Sequence, residues 1–298
     1  MSAKFDYTEA FSRNIGWVTP AEQETLRDKR VAIAGMGGVG GVHLLTLARL
    51  GIGRFSIADF DTFDLVNFNR QVGATMSSLG RPKLAVLEEM VRDINPEVDL
   101  RLFPEGAKPD QMDEFLSGCD VYVDGLDFFA FTARRSAFAS CERLGIPAVT
   151  AAPLGMSVAW LTFLPGQMSF EEYFQLEGCS EDEMALRLFL GLAPAGLHGA
   201  CLVDPSKIDL KNRRGPSTII ACQLCAGVVG AEVCKILTGR GPVLAAPSCQ
   251  QFDAFTGMTR ESVLPQGNST QEQRLRLQEM RKVFGLPDPS SHEATEAR

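Results

Sequence analysis

The stretch RVAIAGMGGVGGVHLLTLARLG, residues 30–51, decides the fold. An apolar run breaks at a glycine cluster and resumes as a second apolar run ending in Gly51, which reads as buried strand, tight loop and closed helix. Gly35, Gly37 and Gly40, with Gly38 between them, have the G-x-G-x-x-G spacing that lets backbone amides and a helix N-terminus approach a phosphate. Alone, the loop points to an adenine nucleotide, and its usual owner is an NAD-dependent dehydrogenase. A glycine turn that merely packs helix on strand is the plainer alternative.

Outward from this unit, strand and helix alternate. RFSIADF (54–60) is a second strand, and RPKLAVLEEMVRDINP (81–96) a helix with Leu84, Leu87, Val91 and Ile94 on one face, stopped before Pro96. VDLRLFP (98–104) is a third strand, PDQMDEFLSG (109–118) a short helix, and DVYVDGLD (120–127) a fourth strand ended by Asp127. ARRSAFASCERLG (133–145) is helical and IPAVTAA (146–152) a fifth strand. Apolar rather than alternating strands between helices predict an α/β fold, Rossmann-like, with three α/β/α layers and a mostly parallel central sheet. QQFDAFTGMTRESVL (250–264) adds late antiparallel strands turning at Thr256-Gly257.

Elsewhere the chain punctuates itself. Thr19 caps a helix that Pro20 opens, and the regularity fades over 165–217, an irregular insertion or crossover. ACQLCAGVVGAEVCKILTG (221–239) is an apolar helix, and a last helix starts from a capping box of Ser269 with Glu272. The expected organisation is a nucleotide-binding domain over 1–265, then 266–298 as a C-terminal helix and disordered tail, the last dozen residues being the tail.

Bulk properties exclude several classes. The 298 residues carry a net charge of −8, so bulk electrostatics make a nucleic-acid partner unattractive. Eight cysteines without a basic and apolar leader suggest reduced thiols and a cytoplasmic location. Cys222 and Cys225 form a CxxC pair inside a helix, which favours packed small hydrophobes over ligands, so no structural zinc is expected. Residues 146–170 are uncharged and long enough for a bilayer, but Pro153, Gly155, Pro165 and Gly166 cut them into strand, loop and strand, so no membrane span is expected.

The next stretch, IADFDTFDLVNFNRQVG (57–73), carries more than a dinucleotide requires. Asp59 at the end of the second strand suits ribose hydroxyls. Asp61, Asn67, Asn69, Arg70 and Gln71 follow, and Lys83 comes soon after. A nucleoside triphosphate brings extra negative charge and a metal, which call for cationic side chains. Solvated surface charge is the bland alternative for Arg70 and Lys83. Asp127, at the carboxyl edge of the sheet, suits magnesium or a helix N-cap.

The motifs GMGGVG, DFD, VNFNRQ, GRPK and the final Asp of VDGLD stand in the order and spacing of the ThiF/MoeB/ubiquitin-activating-enzyme superfamily, which this chain resembles over about residues 10–265. The resemblance implies an adenylyltransferase that uses ATP and Mg2+ to activate a carboxylate as an acyl-adenylate. The substrate it implies is the C-terminal glycine of a ubiquitin-like or sulfur-carrier protein, with activation of a carboxylate on modified tRNA as an alternative. It implies that Asp59 binds the ribose and that Asn67, Arg70, Gln71 and Lys83 contact the phosphates beside Gly35, Gly37, Gly38 and Gly40. Asp127 would hold magnesium, and Asp61 would shape the turn or help with the metal. It further implies a homodimer in which Arg13 reaches the partner's site. Departures are a missing four-cysteine zinc set, FFAF after Asp127, and an arginine pair, Arg134 and Arg135, that falls late. Cys179 and Cys201 lie where some relatives carry a nucleophile, without a matching signature, and none of His43, His198 and His292 is expected to be catalytic.

Overall fold

The structure is a computed structural model and describes residues 4–209 and 212–286. Its strands are β1 (Arg30–Ala34), β2 (Arg54–Ala58), β3 (Asp99–Phe103), β4 (Val121–Asp124), β5 (Ala148–Leu154), β6 (Ser157–Phe163), β7 (Ser248–Asp253) and β8 (Met258–Val263). The helices are α1 (Tyr7–Ala10), α2 (Pro20–Asp28), α3 (Gly38–Arg49), α4 (Lys83–Ile94), α5 (Met112–Leu116), α6 (Phe131–Leu144), α7 (Phe170–Phe174), α8 (Glu181–Leu192), α9 (Ile219–Thr238) and α10 (Gln271–Phe284).

Among the described residues the strands form one sheet in the order β3-β2-β1-β4-β5-β6-β7-β8. Pairing is parallel from β3 to β5 and antiparallel from β5 to β8. Val31 and Ile33 meet α3, α4 and α9 on one face, while Ala32 and Ala34 belong to the core under α5 to α8 on the other. With both faces covered at β1, β2 and β4, successive residues there are apolar whichever way they point, which is why these strands do not alternate in sequence. The connections leave β1 in opposite directions, toward β2 on one side and β4 on the other, so the carboxyl end of β1 is the switch point where such sheets open a crevice.

Helix α9 is long and apolar enough to match a bilayer, yet Cys225, Ala226, Val229 and Val233 share a core with the sheet. It runs parallel to α3. A Cβ on Gly38 would stand 3.1 Å from Cys222 Sγ, and eight residues further along each helix one on Gly230 would stand 3.4 Å from Thr46.

Three readings are corrected here. The 165–217 insertion holds two helices, α7 and α8, rather than wholly irregular chain. α8 obscured its periodicity because Ala185, Leu188 and Leu192 face the main core while Leu186 and Leu190 face Leu277 of α10, leaving two apolar sides. The cap of α10 is Thr270, whose hydroxyl accepts the Gln273 amide, one residue later than the Ser269 box. β4 ends at Asp124, so Asp127 lies in the loop beyond it. The tail expected over the last dozen residues, with His292, lies outside the described residues.

Glycine is compulsory where β1 meets α3. A Cβ on Gly40 would stand 1.7 Å from Gly35 O, and one on Gly35, at φ +86°, would stand 2.3 Å from Gly125 O. Replacing a helical glycine by alanine normally adds up to about 1 kcal/mol of stability. For Gly40→Ala the sign is expected to reverse, with a loss of about 3 kcal/mol or more from overpacking, measured as a lowered urea midpoint.

Candidate nucleotide site

The N-cap of α3 is Gly37, and no side chain caps that end. The amides of Gly38, Val39 and Gly40 have no acceptor among the described residues, so the helix presents unclaimed donors at the switch point. Asp59 fixes the loop that leads there. Its Oδ2 accepts from Met36 N–H at 2.6 Å and its Oδ1 from Asp61 N–H at 2.8 Å. Burial pushes its carboxyl above the usual carboxylate range, and the two amide donors pull it back. The acid that suits ribose hydroxyls is thus already oriented by the glycine loop.

Asp61 has a role of its own. Its Oδ2 accepts from Lys83 Nζ at 2.9 Å, and its backbone oxygen accepts from Lys83 N–H at 2.9 Å. Lys83 is buried, at 6% exposure, so it is not a solvated surface charge. The second aspartate holds the lysine at the crevice.

The amide and cation cluster divides its work. Asn67 is buried and its Oδ1 accepts from Asp64 N–H at 2.9 Å, which shapes the loop. Arg70 Nη1 donates to Val66 O and Asn69 Oδ1, both at 3.0 Å, and its stem lies 3.6 Å from where a Cβ on Gly38 would stand. Gln71 is 7% exposed with Nε2 3.7 Å from a Cβ position on Gly37, and its Oε1 is buried with no partner among the described residues. The side chain thus turns an N–H donor toward the open end of α3, which fits a site shaped for a polar ligand.

Asp127 is exposed in the loop after β4, where its Oδ1 accepts from Phe129 N–H at 3.0 Å. That loop is built around Arg134, which sequence reasoning noted only as displaced. Arg134 donates to Asp124 Oδ2 at 2.8 Å and to the carbonyls of Leu126, Asp127 and Phe128, each at 2.9 Å. A guanidinium presents its donors in a fixed fork, so one side chain sets three successive carbonyls. The sequence signal was an arginine one helical turn inside α6 with an aspartate ten residues earlier.

Arg13 is not brought to this site. It is exposed in a turn whose Asn14 Nδ2 donates to Leu50 O at 3.1 Å, at the far end of α3. Twelve helical residues separate that end from the glycine loop, about 18 Å. His43 is buried in α3, where burial pushes it down to about 3, so it stays neutral and out of reach. Burial also lowers His198, whose ring meets Phe189 edge-on at 5.2 Å. Cys201 Sγ lies 2.9 Å from a Cβ position on Gly155, at the β5–β6 turn, and donates to His198 O at 3.2 Å. Cys179 Sγ bonds Gln175 O at 3.5 Å, and burial raises its thiol.

A glycine loop at the switch point of a mostly parallel sheet, with an acid from the next strand bonded to it, defines a Rossmann-like nucleotide-binding protein. The sequence matches the ThiF family over residues 11–274, and the chain belongs to that family. It is 33% identical over 143 residues to tRNA threonylcarbamoyladenosine dehydratase of Bacillus subtilis, covering 47% of this chain and 55% of that one. It is 30% identical over 143 residues to the sulfur carrier protein ThiS adenylyltransferase of Escherichia coli, covering 48% and 56%. The chain thus spans about half the length of these relatives. Among solved structures, E. coli MccB with ATP superposes with a TM-score of 0.67 at 16% identity, covering 90% of this chain and 75% of that one. E. coli TcdA, a tRNA N6-threonylcarbamoyladenosine dehydratase, gives 0.56 at 21% identity, covering 78% and 95%. Both are likenesses of fold.

Arg134 and Asp124 are both buried, so removing one charge strands the other. Arg134→Met is expected to cost about 3–5 kcal/mol in denaturant unfolding, while Asp127→Asn, at an exposed carboxylate, should leave the midpoint nearly unchanged.

Proposed function

We propose that this protein is an ATP-dependent adenylyltransferase that activates a carboxylate as an acyl-adenylate and releases pyrophosphate. The observation that carries the reading is the set of side chains between β2 and α4. Lys83 is held in place by Asp61, and Arg70 and Gln71 lie against the first residues of α3. A dinucleotide pyrophosphate is met by helix amides alone, and would leave these groups without work.

The chemistry asks little proton transfer of the protein. A carboxylate is ionised at pH 7, so its oxygen attacks the α-phosphorus without a general base. A new O–P bond forms as the bond to the β-phosphate breaks, and the electrons leave with pyrophosphate. Lys83 and Arg70 offset the charge that gathers on the leaving group, and the amides of α3 hold it in place. Asp59 orients the nucleoside through the ribose. Asp127, with Oδ1 engaged by Phe129, has its other oxygen for a magnesium ion, which when bound supplies further charge neutralisation.

The substrate in this reading is the C-terminal glycine of a ubiquitin-like or sulfur-carrier protein, in keeping with the acidic chain and the ThiS-directed relative. A second reading, a carboxylate on modified tRNA, is favoured by the dehydratase relatives. We further propose a homodimer. Arg13 stands too far from its own glycine loop, and exposed Ile15 and Trp17 follow it while exposed Leu65 and Val66 precede Arg70.

ATP–pyrophosphate exchange tests the reading with carrier proteins ending in Gly-Gly in one arm and modified tRNA in another. Exchange in either arm supports adenylation and names the substrate class; NADH binding without exchange in any arm would overturn it. Lys83→Ala and Arg70→Ala are each expected to lower exchange by at least about tenfold, roughly 1.4 kcal/mol of transition-state stabilisation. If Arg13 acts across the dimer, mixing Arg13→Ala with Lys83→Ala protein should restore roughly a quarter of the wild-type rate, because each mixed dimer regains one intact site. Additive residual rates would place Arg13 elsewhere.

A further inference from the structure

Resting on the adenylation reading, we propose that the N-terminus of α9 is the second wall of the polyphosphate subsite, so that the departing pyrophosphate is bound between two helix ends. The parallel run of α3 and α9 brings their N-termini to one edge, with Cys222 in the first turn of α9 against Gly38 in the first turn of α3. Each N-terminus carries about half a positive charge, so like ends side by side repel unless an anion lies between them. The Thr218 hydroxyl serves the Ala221 amide, and the amides of Ile219 and Ile220 have no acceptor among the described residues. With Gly38, Val39 and Gly40, two helices present unclaimed donors to one place.

Side chains independent of either helix point to a ligand there. Gln71 is more than nine-tenths buried and turns its amide toward the N-cap of α3, where Nε2 has no acceptor among the described residues and is free to donate to a phosphate oxygen. Arg70 packs at the seam, its stem on Gly38 and its charge near Cys222. Burial raises that thiol, and Arg70 opposes the rise. Asn69, which the sequence left without a task, donates from Nδ2 to Ser217 O at 2.9 Å and so ties the chain just before α9 to the phosphate-facing segment. Three consecutive residues, Asn69, Arg70 and Gln71, thus hold both helix ends around one space. A dinucleotide coenzyme would occupy only the α3 side of it.

The test is charge reversal at Ile219, which is partly exposed and lies one turn before Cys222 on the same side of α9. An acid at the first helical position favours the helix itself, so Ile219→Asp should fold with an unchanged or raised Tm. Calorimetric titration with pyrophosphate and separately with AMP, in magnesium, reads the two halves of the site. Ile219→Asp is expected to weaken pyrophosphate by at least about tenfold and AMP by less than about twofold, while the uncharged Ile219→Asn stays near wild type for both. Wild-type pyrophosphate affinity in Ile219→Asp, or equal weakening of AMP and pyrophosphate, overturns the inference and leaves adenylation standing. A wild-type protein that binds neither AMP nor pyrophosphate overturns both.

Discussion

Everything at this site depends on a backbone contact in which no side chain fits. Gly35, Gly40 and Gly125 bring the turn after β1, the first turn of α3 and the loop after β4 to van der Waals separation. Because the three segments touch, the amides of α3, the acid at the end of β2 and the Asp127 loop are set in one frame. Dense packing transmits such a constraint without slack. The sheet supplies the position, since β1 lies between β2 and β4 where the chain reverses its direction of travel across the fold.

Around that frame, carboxylates and amides serve mainly to orient other groups. Asp59 orients the glycine loop, Asp61 orients Lys83, Asp124 orients Arg134, and Arg134 orients the carbonyls beside Asp127. Each is a charge whose partner is already in place before any ligand arrives. Preorganisation of this kind matters most for a reaction whose barrier lies in charge accumulation rather than proton transfer.

The crossover is held from two directions. Glu183 accepts from both Arg187 and Arg281, and Gln273 donates to Leu190 O, so α10 is docked on α8 by buried polar bonds as well as by Leu277. From the end of α8 the chain passes Ala195, whose amide bonds Gln251, and Cys201 at Gly155, before Thr218 caps α9 and bonds Gly155 O. The segment that returns to the crevice is thereby stitched to β7 and to the β5–β6 turn.

The sequence by itself determined the strands, the glycine loop, the helices α3, α4, α6 and α9 and the late hairpin, because each is written in local periodicity, glycine spacing and turn chemistry. It also singled out Asp59, Arg70, Gln71, Lys83 and Asp127 as a group, since the excess of charge after β2 is visible without coordinates. Tertiary structure alone decided the partners: Asp61 with Lys83, Asn69 with Ser217 and Arg134 with Asp124 join residues from ten to well over a hundred positions apart. It alone decided that α8 is a helix, because burial on two sides erased its pattern, and that the N-termini of α3 and α9 meet. Which groups meet across a fold depends on packing between elements, and no local rule of sequence encodes that.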